Sequence, residues 1–303
     1  MKLLYCGIFS DAEQQESLRW ALRSICDEYD EVNWSTHPDI NLLLTIGIYD
    51  VIFFQVQTDG VLDIEVIRRL KDRGCKMFNF TGDVRSEIPM FYFNMAPFVT
   101  TLFTNKTQAD ILAKAGFDAN YFQIGYKDHI YTPDASTPCE YSSEIVFMGN
   151  NYNGLFELSG FRFDMVMWLK NVYGDRFRVF GSGLPDAVSL NTDQYKEAQV
   201  YRNCKIAINC SHFNMTMYSS DRLFRILVSG AFCLSHRFDG IYAMGFIEGI
   251  HLRTWQTFDH LKELIDYYLV HEEKRKEIAH NGHELCIKEY TWMNRMGQLK
   301  QLL

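Results

Sequence analysis

Short apolar runs of strand length alternate with amphipathic runs of helix length along nearly all of this chain, and that order leaves few folds open. Near-continuous apolar strands separated by helices build a parallel sheet covered on both faces. In the first half the strands read 2–8, 51–54, 76–80, 99–103 and 119–123. Ser10 with Glu13 three residues on is a capping-box pattern. The helix it opens runs to about Tyr29 and carries Leu18, Leu22 and Ile25 on one face. A second helix over 62–73 stops at Gly74, and a third is capped at Asn105. In the second half, strands at 144–148, 177–180, 206–209 and 232–235 alternate with helices at 161–173, 258–270 and 272–290.

A chain of 303 residues exceeds one ordinary hydrophobic core, so two domains of ~150 residues are expected. Residues 125–143 are polar, with two prolines and few aliphatic side chains, and read as a linker. The expected division is a domain over 1–124, the linker, a second domain over 144–290, and a last helix over 291–303. Both domains read as α/β and Rossmann-like, with ligand sites outside the carboxyl ends of their strands.

Composition narrows the function classes. Hydrophobic residues make up 47% and charged residues 22%, as in ordinary globular proteins. No stretch approaches the ~20 apolar residues of a spanning helix, and the N-terminal MKLLYCGIF lacks a small-residue cleavage site. A cytoplasmic protein is expected. Eight cysteines without a CxxC pair fit reduced thiols and not a disulfide or zinc framework. A net charge of −8 argues against general coating of nucleic acid, although screening over ~10 Å lets a local basic cleft act by itself. GxGxxG, HExxH and Asp-x-Asp patterns are all missing, the nearest being Asp63-Ile64-Glu65 at a helix start. No catalytic metal and no cofactor are expected.

The stretch from Gln194 to Asp239 reads QYKEAQVYRNCKIAINCSHFNMTMYSSDRLFRILVSGAFCLSHRFD and is the most informative. A helical run gives way to the strand ending at Asn209. A polar loop then closes on Ser219, Ser220 and Asp221, and a helix opens at Arg222. Strand, loop and helix N-terminus together aim free N–H groups and the positive dipole end at one point, an anion site. Arg222 adds a guanidinium that can fork onto phosphate oxygens. The plain alternative is that Ser219 and Ser220 only cap the helix. Two further glycine-bearing turns, Gly149-Asn150 and Gly181-Ser182-Gly183, follow strands of the same half. Glycine there lets backbone N–H groups approach an anion.

The order Tyr195, Tyr201, Lys205 to Asn209, Ser220-Asp221-Arg222-Leu223-Phe224, Gly230-Ala231-Phe232 and Leu234 resembles the C-terminal domain of CgeB-like, spore-maturation-type glycosyltransferases. That resemblance covers most of the chain, most clearly from Glu144 on. It implies the GT-B fold, two Rossmann-like domains facing each other across a cleft. It implies a nucleotide-diphosphate sugar as co-substrate, a UDP-sugar first, with Arg222 on the donor phosphates. It places Gly149, Asn150 and Gly181 on the donor side and lets Tyr195 stack on the base, where the alternative is a core tyrosine. Arg225 stands where the family has a glutamate for the ribose hydroxyls, and Met217 and Arg225 stand where the wider superfamily has a pair of glutamates. Phe78 to Arg85 looks like the family's Thr-Gly-Asp element near the acceptor. Asp83 is therefore the candidate general base, with Ser10, Asp11 and Arg85 on the acceptor side. The alternative is a turn aspartate paired with Arg85.

The acceptor stays open among a polysaccharide, a protein and a hydroxymethylated DNA base. The rival reading is a non-catalytic module that binds a sugar nucleotide or glycan, and a third is an epimerase.

Overall fold

The computed structural model describes residues 1–9, 15–126, 128–131, 141–191 and 193–303, without the side chains of Asp128, His129 and Asn153. They divide into one unit of Met1–Gly125 with Trp292–Leu303 and another of Tyr126–Thr291.

The first unit runs β1 (Lys2–Gly7), α1 (Glu16–Arg23), β2 (Glu28–Asn33), α2 (Ile40–Ile46), β3 (Val51–Phe54), α3 (Ile64–Asp72), β4 (Lys76–Thr81), α4 (Met90–Met95), β5 (Thr100–Phe103), α5 (Lys106–Lys114) and β6 (Ala119–Tyr121). The six strands form one parallel sheet in the order β2-β1-β3-β4-β5-β6. Side chains alternate across it with the period of two that a strand imposes. Leu4, Cys6, Ile52 and Phe54 face the helices α2 to α4. Leu3, Tyr5, Phe53, Phe78 and Phe80 face the other way, onto α1. Helix starts are fixed by short acidic or amide side chains that take orphan N–H groups. Asp39 accepts from Leu42 N, Asp63 from Glu65 N and Asn105 from Gln108 N.

Several elements depart from the expectation: α2 and α4 form where no helix is expected, and α1 begins at Glu16, with no side-chain cap at Gln15. The first helix stops at Arg23, and Glu28–Asn33 forms a strand beside β1. Only Val32 of EYDEVN is buried, because this is the sheet edge. Its charges disguise it: Glu28 and Asp30 pair with Lys2 at 3.7 and 3.2 Å, and Glu31 accepts from Arg19 Nε at 3.0 Å. Charged edges of this kind keep a sheet from pairing with another chain.

The second unit runs α6 (Asp128–Tyr131), β7 (Ile145–Met148), α7 (Ser159–Tyr173), β8 (Phe177–Phe180), α8 (Gln194–Arg202), β9 (Ile206–Asn209), α9 (Asp221–Val228), β10 (Cys233–His236), β11 (Arg253–Trp255), α10 (Phe258–Val270) and α11 (Glu272–Glu289). Its five parallel strands lie in the order β11-β10-β9-β7-β8. The chain moves outward from β7 to β8 and then returns to lay β9 on the other side of β7. The topological switch point therefore lies between β7 and β9, and ligands of open α/β sheets bind at the carboxyl ends of such a pair. A single core from both strands and from α7, α10 and α11 underlies it, built on Ile145, Phe147, Val166, Ile208 and Trp255. The three-residue strand β11 and the one-turn helix α6 carry too little pattern to be read from sequence. Tyr131 of α6 is buried, and its hydroxyl donates to Glu197 at 3.0 Å.

The last helix, α12 (Trp292–Leu302), belongs to the first unit. Trp292, Met296 and Leu299 recur at helical spacing and complete the core beside Phe80 and Phe122. Gly125 is required where the chain meets this helix: a Cβ there would stand 2.5 Å from the backbone N of Trp292.

Candidate functional site

The loops leaving β7 and β9 bring two arginines together. Arg222, in the first turn of α9, is 9% exposed and turns inward. Its Nε donates to the Met148 carbonyl at the end of β7, and its Nη1 donates to the Cys210 carbonyl past β9 at 2.9 Å. Its guanidinium lies over the Phe147 ring, 5.1 Å from the centroid. Arg162 comes from α7, is fully buried, and lies over the same ring at 5.3 Å. A Cβ added to Gly149 would meet Nη2 of both arginines, that of Arg222 at 2.6 Å. Glycine at 149 is thus a steric condition of the arrangement.

Neither guanidinium forms an ion pair among the described residues. Arg162 Nη1 meets Nε2 of His212, while Nε and Nη2 of Arg162 are buried without a hydrogen-bond partner. Burial and the neighbouring Arg222 push the Arg162 guanidinium down to about 9. Burial, then Arg162 and Arg222, hold the His212 imidazole at about 3, so it is neutral and accepts from Arg162. Buried charges are ordinarily paired, because desolvation costs several kcal/mol per ion. Two positive charges are gathered here without a carboxylate partner among the described residues.

The helix start adds amides. Ser220 holds the N-cap position of α9, yet its side chain makes no cap hydrogen bond. The capping alternative thus fails for Ser220, whose Oγ is buried and unpartnered. Its N–H donates to Ser211 Oγ at 3.0 Å. Ser219 accepts from Asn209 Nδ2 at 3.1 Å, and the same amide donates to Ser235 at 3.0 Å. Gly181 sits at φ +121°, where a side chain would run into the carbonyl group of Gly149. Asn150 accepts from Ser182 Oγ at 3.0 Å, which ties this turn to the one after β8. Gly149, Asn150, Gly181, Ser219, Ser220 and Arg222 thus share one edge of the second sheet.

Other expected residues lie elsewhere or are engaged differently. Tyr195 is 51% exposed on the first turn of α8, so the core-tyrosine alternative is corrected. Arg225 is bound to Glu197 at 2.8 Å and to Asp221, and its guanidinium faces the Tyr131 ring. In the first unit, Asp83 is exposed past the carboxyl end of β4 and has no ion pair or hydrogen bond among the described residues. The alternative of a pair with Arg85 fails, since Arg85 Nη2 instead donates to the Gln57 carbonyl at 3.3 Å. Ser10 and Asp11 lie outside the described residues. No group of three or more His, Cys, Asp or Glu side chains among the described residues could hold a metal.

Arg162 escaped the sequence reading. The signal for Arg162 was present: Ser159, Arg162, Met165, Val166, Leu169 and Tyr173 are the buried stripe of α7, and only Arg162 breaks it with a charge.

Residues 162–301, somewhat under half of the chain, match the family model described as glycosyl transferase-like. Across its whole length the chain also superposes on solved proteins. HepE of Anabaena in complex with UDP-glucose is 10% identical, with 100% of this chain and 99% of that chain covered and a TM-score of 0.70. The fold is that of a GT-B glycosyltransferase. Sucrose-phosphate synthase from Thermosynechococcus elongatus is 11% identical, with 99% and 98% covered and a TM-score of 0.67. A glycosyltransferase from Rickettsia africae is 10% identical, with 99% and 97% covered and a TM-score of 0.63. No curated protein matches the sequence.

Proposed function

We propose that this protein transfers a sugar from a nucleotide-diphosphate sugar, a UDP-sugar first among donors, to a hydroxyl acceptor. One observation carries the reading: Arg162 and Arg222 converge, buried and without a carboxylate, at the switch point of the second sheet. A diphosphate supplies the missing negative charge and the paired oxygens that planar guanidinium groups fork onto. Leaving-group stabilisation then comes from these two cations and the amides at the start of α9, aimed where charge develops on the departing diphosphate. The glycosyl transferase-like match over 162–301 and the likeness to HepE, solved with UDP-glucose, support the donor class. Tyr195, half-exposed, is available to stack on the base.

Asp83 takes the proton of the acceptor hydroxyl, a role supported by its exposure at the carboxyl end of a strand and its lack of a competing partner. The acceptor is a glycan, a protein or a modified DNA base. Cys6, Cys26, Cys75, Cys210 and Cys233 are free thiols, which supports a reducing, cytoplasmic setting. No helix among the described residues is long and apolar enough to cross a membrane.

A panel of sugar nucleotides, assayed for release of nucleoside diphosphate with wild type and Asp83→Ala, tests the reading. Turnover that Asp83→Ala abolishes supports it. Tight donor binding with no turnover under any acceptor would instead favour the binding module. That second reading has its own support, because Arg225 is tied to Glu197 and Asp221 where the resemblance places a ribose-holding glutamate. Interconversion of the free donor without acceptor would identify an epimerase.

A further inference from the structure

The anion site holds one titratable group that the proposed reaction has not used. His212 follows β9, and its Nε2 accepts from Arg162 Nη1, so it occupies an edge of the guanidinium that an incoming phosphate would take. Its ring also packs against Phe156 at 4.9 Å and Tyr152 at 5.5 Å, centroid to centroid. Tyr152 is 53% exposed and held at φ +39°, so an aromatic loop stands over the imidazole from the β7 side.

Taking the donor reading as given, the charges do not balance between the two ends of the reaction. The diphosphate of a sugar nucleotide carries roughly two negative charges, which Arg162 and Arg222 match. The freed nucleoside diphosphate carries roughly three, because its terminal phosphate ionises again at about pH 6. We propose that His212 supplies the third positive charge, taking a proton from solvent when free diphosphate occupies the Arg162–Arg222 pocket and losing it when the pocket empties. Atoms balance simply: one solvent proton is bound at the imidazole, and no bond to the nucleotide forms.

The surroundings supply the switch. With the pocket empty, burial and the two guanidiniums hold the imidazole at about 3. An anion on those guanidiniums cancels their repulsion and adds attraction, so the affinity for a proton rises on binding. The charged and titratable groups acting on the ring are Arg162 from α7 and Arg222 from α9, with Tyr152 from the loop after β7 packed against it. Glu157, on the segment between β7 and α7, accepts from Asn214 N at 3.3 Å. No carboxylate is among the groups acting on the ring, so an anion on the two guanidiniums is what would change its charge.

Calorimetric titration with UDP at pH ~7.5, in two buffers of different ionisation enthalpy, counts protons taken up per UDP bound. Wild type should take up about half a proton or more, UDP-glucose should cause clearly less uptake, and His212→Gln should take up none with UDP. Glutamine retains an acceptor for Arg162, so the variant keeps that contact. UDP binding without proton uptake, or uptake unchanged in His212→Gln, overturns the proposal and leaves the donor reading standing. No binding of UDP overturns both. A second measurement needs no variant: in wild type with ring-labelled histidine, one imidazole resonance should move to the imidazolium position on UDP addition. If none moves, the proposal is wrong.

Discussion

The guanidinium of Arg162 and that of Arg222 share the Phe147 ring, at 5.3 and 5.1 Å from its centroid, and no carboxylate pairs with either among the described residues. Like charges brought that close and out of water oppose folding. The proposed diphosphate would supply their counter-charge, and most of the expectations below follow from this pair.

Replacing Arg222 should remove donor binding with little loss of fold. In Arg222→Lys the ammonium cannot reproduce the fork that holds the Met148 and Cys210 carbonyls while facing the pocket. A lost charge-assisted contact in a dry site costs about 2–4 kcal/mol, or about 30- to 1,000-fold in affinity. UDP titration of the variant checks the magnitude.

Arg162→Met should trade function for stability. A methionine fills the buried stripe of α7 and removes a desolvated charge with two unpartnered nitrogens. The apo protein should melt higher, by about 2–4 °C for each kcal/mol gained, while UDP affinity falls at least tenfold. Thermal melts with and without UDP read both effects. A lower melting temperature would contradict the claim that Arg162 is unpaired.

Gly149→Ala tests the steric half of the site. The new methyl meets the tips of both arginine side chains. These are flexible ends and not backbone, so the fold should survive while both guanidiniums shift by a few tenths of an ångström or more. Donor affinity should drop, with far-ultraviolet circular dichroism unchanged.

Asp83→Asn should lower kcat by about two to four orders of magnitude, the range expected when a general base is removed. UDP affinity should stay within twofold, since the carboxylate stands in the first unit at the end of β4. Equal loss of affinity and turnover would move Asp83 from base to donor ligand.

Much of this was legible in the amino-acid order, and the misses have physical causes. Buried parallel strands such as Val51–Phe54 and Ile206–Asn209 are continuous apolar runs, so both sheets stood out. β2 did not, because an edge strand is solvated and its ion pairs with Lys2 and Arg19 come from distant residues. At the site, Arg222, Gly149 and Gly181 were legible from glycine turns and a helix start. Arg162 was not, because its role depends on β7 and β9 being neighbours, a pairing that sequence order does not state. At the start of α9, Ser220 leaves its hydroxyl unused, and its N–H donates to Ser211 Oγ.

The central claim is that Arg162 and Arg222 together grip a diphosphate. A crystal structure of the wild-type protein with UDP tests it most directly. The account predicts β-phosphate oxygens within hydrogen-bond distance of both guanidiniums, with the His212–Arg162 contact opened or shared. UDP seated elsewhere, with Arg162 and Arg222 unchanged and still without a counter-charge, would contradict it.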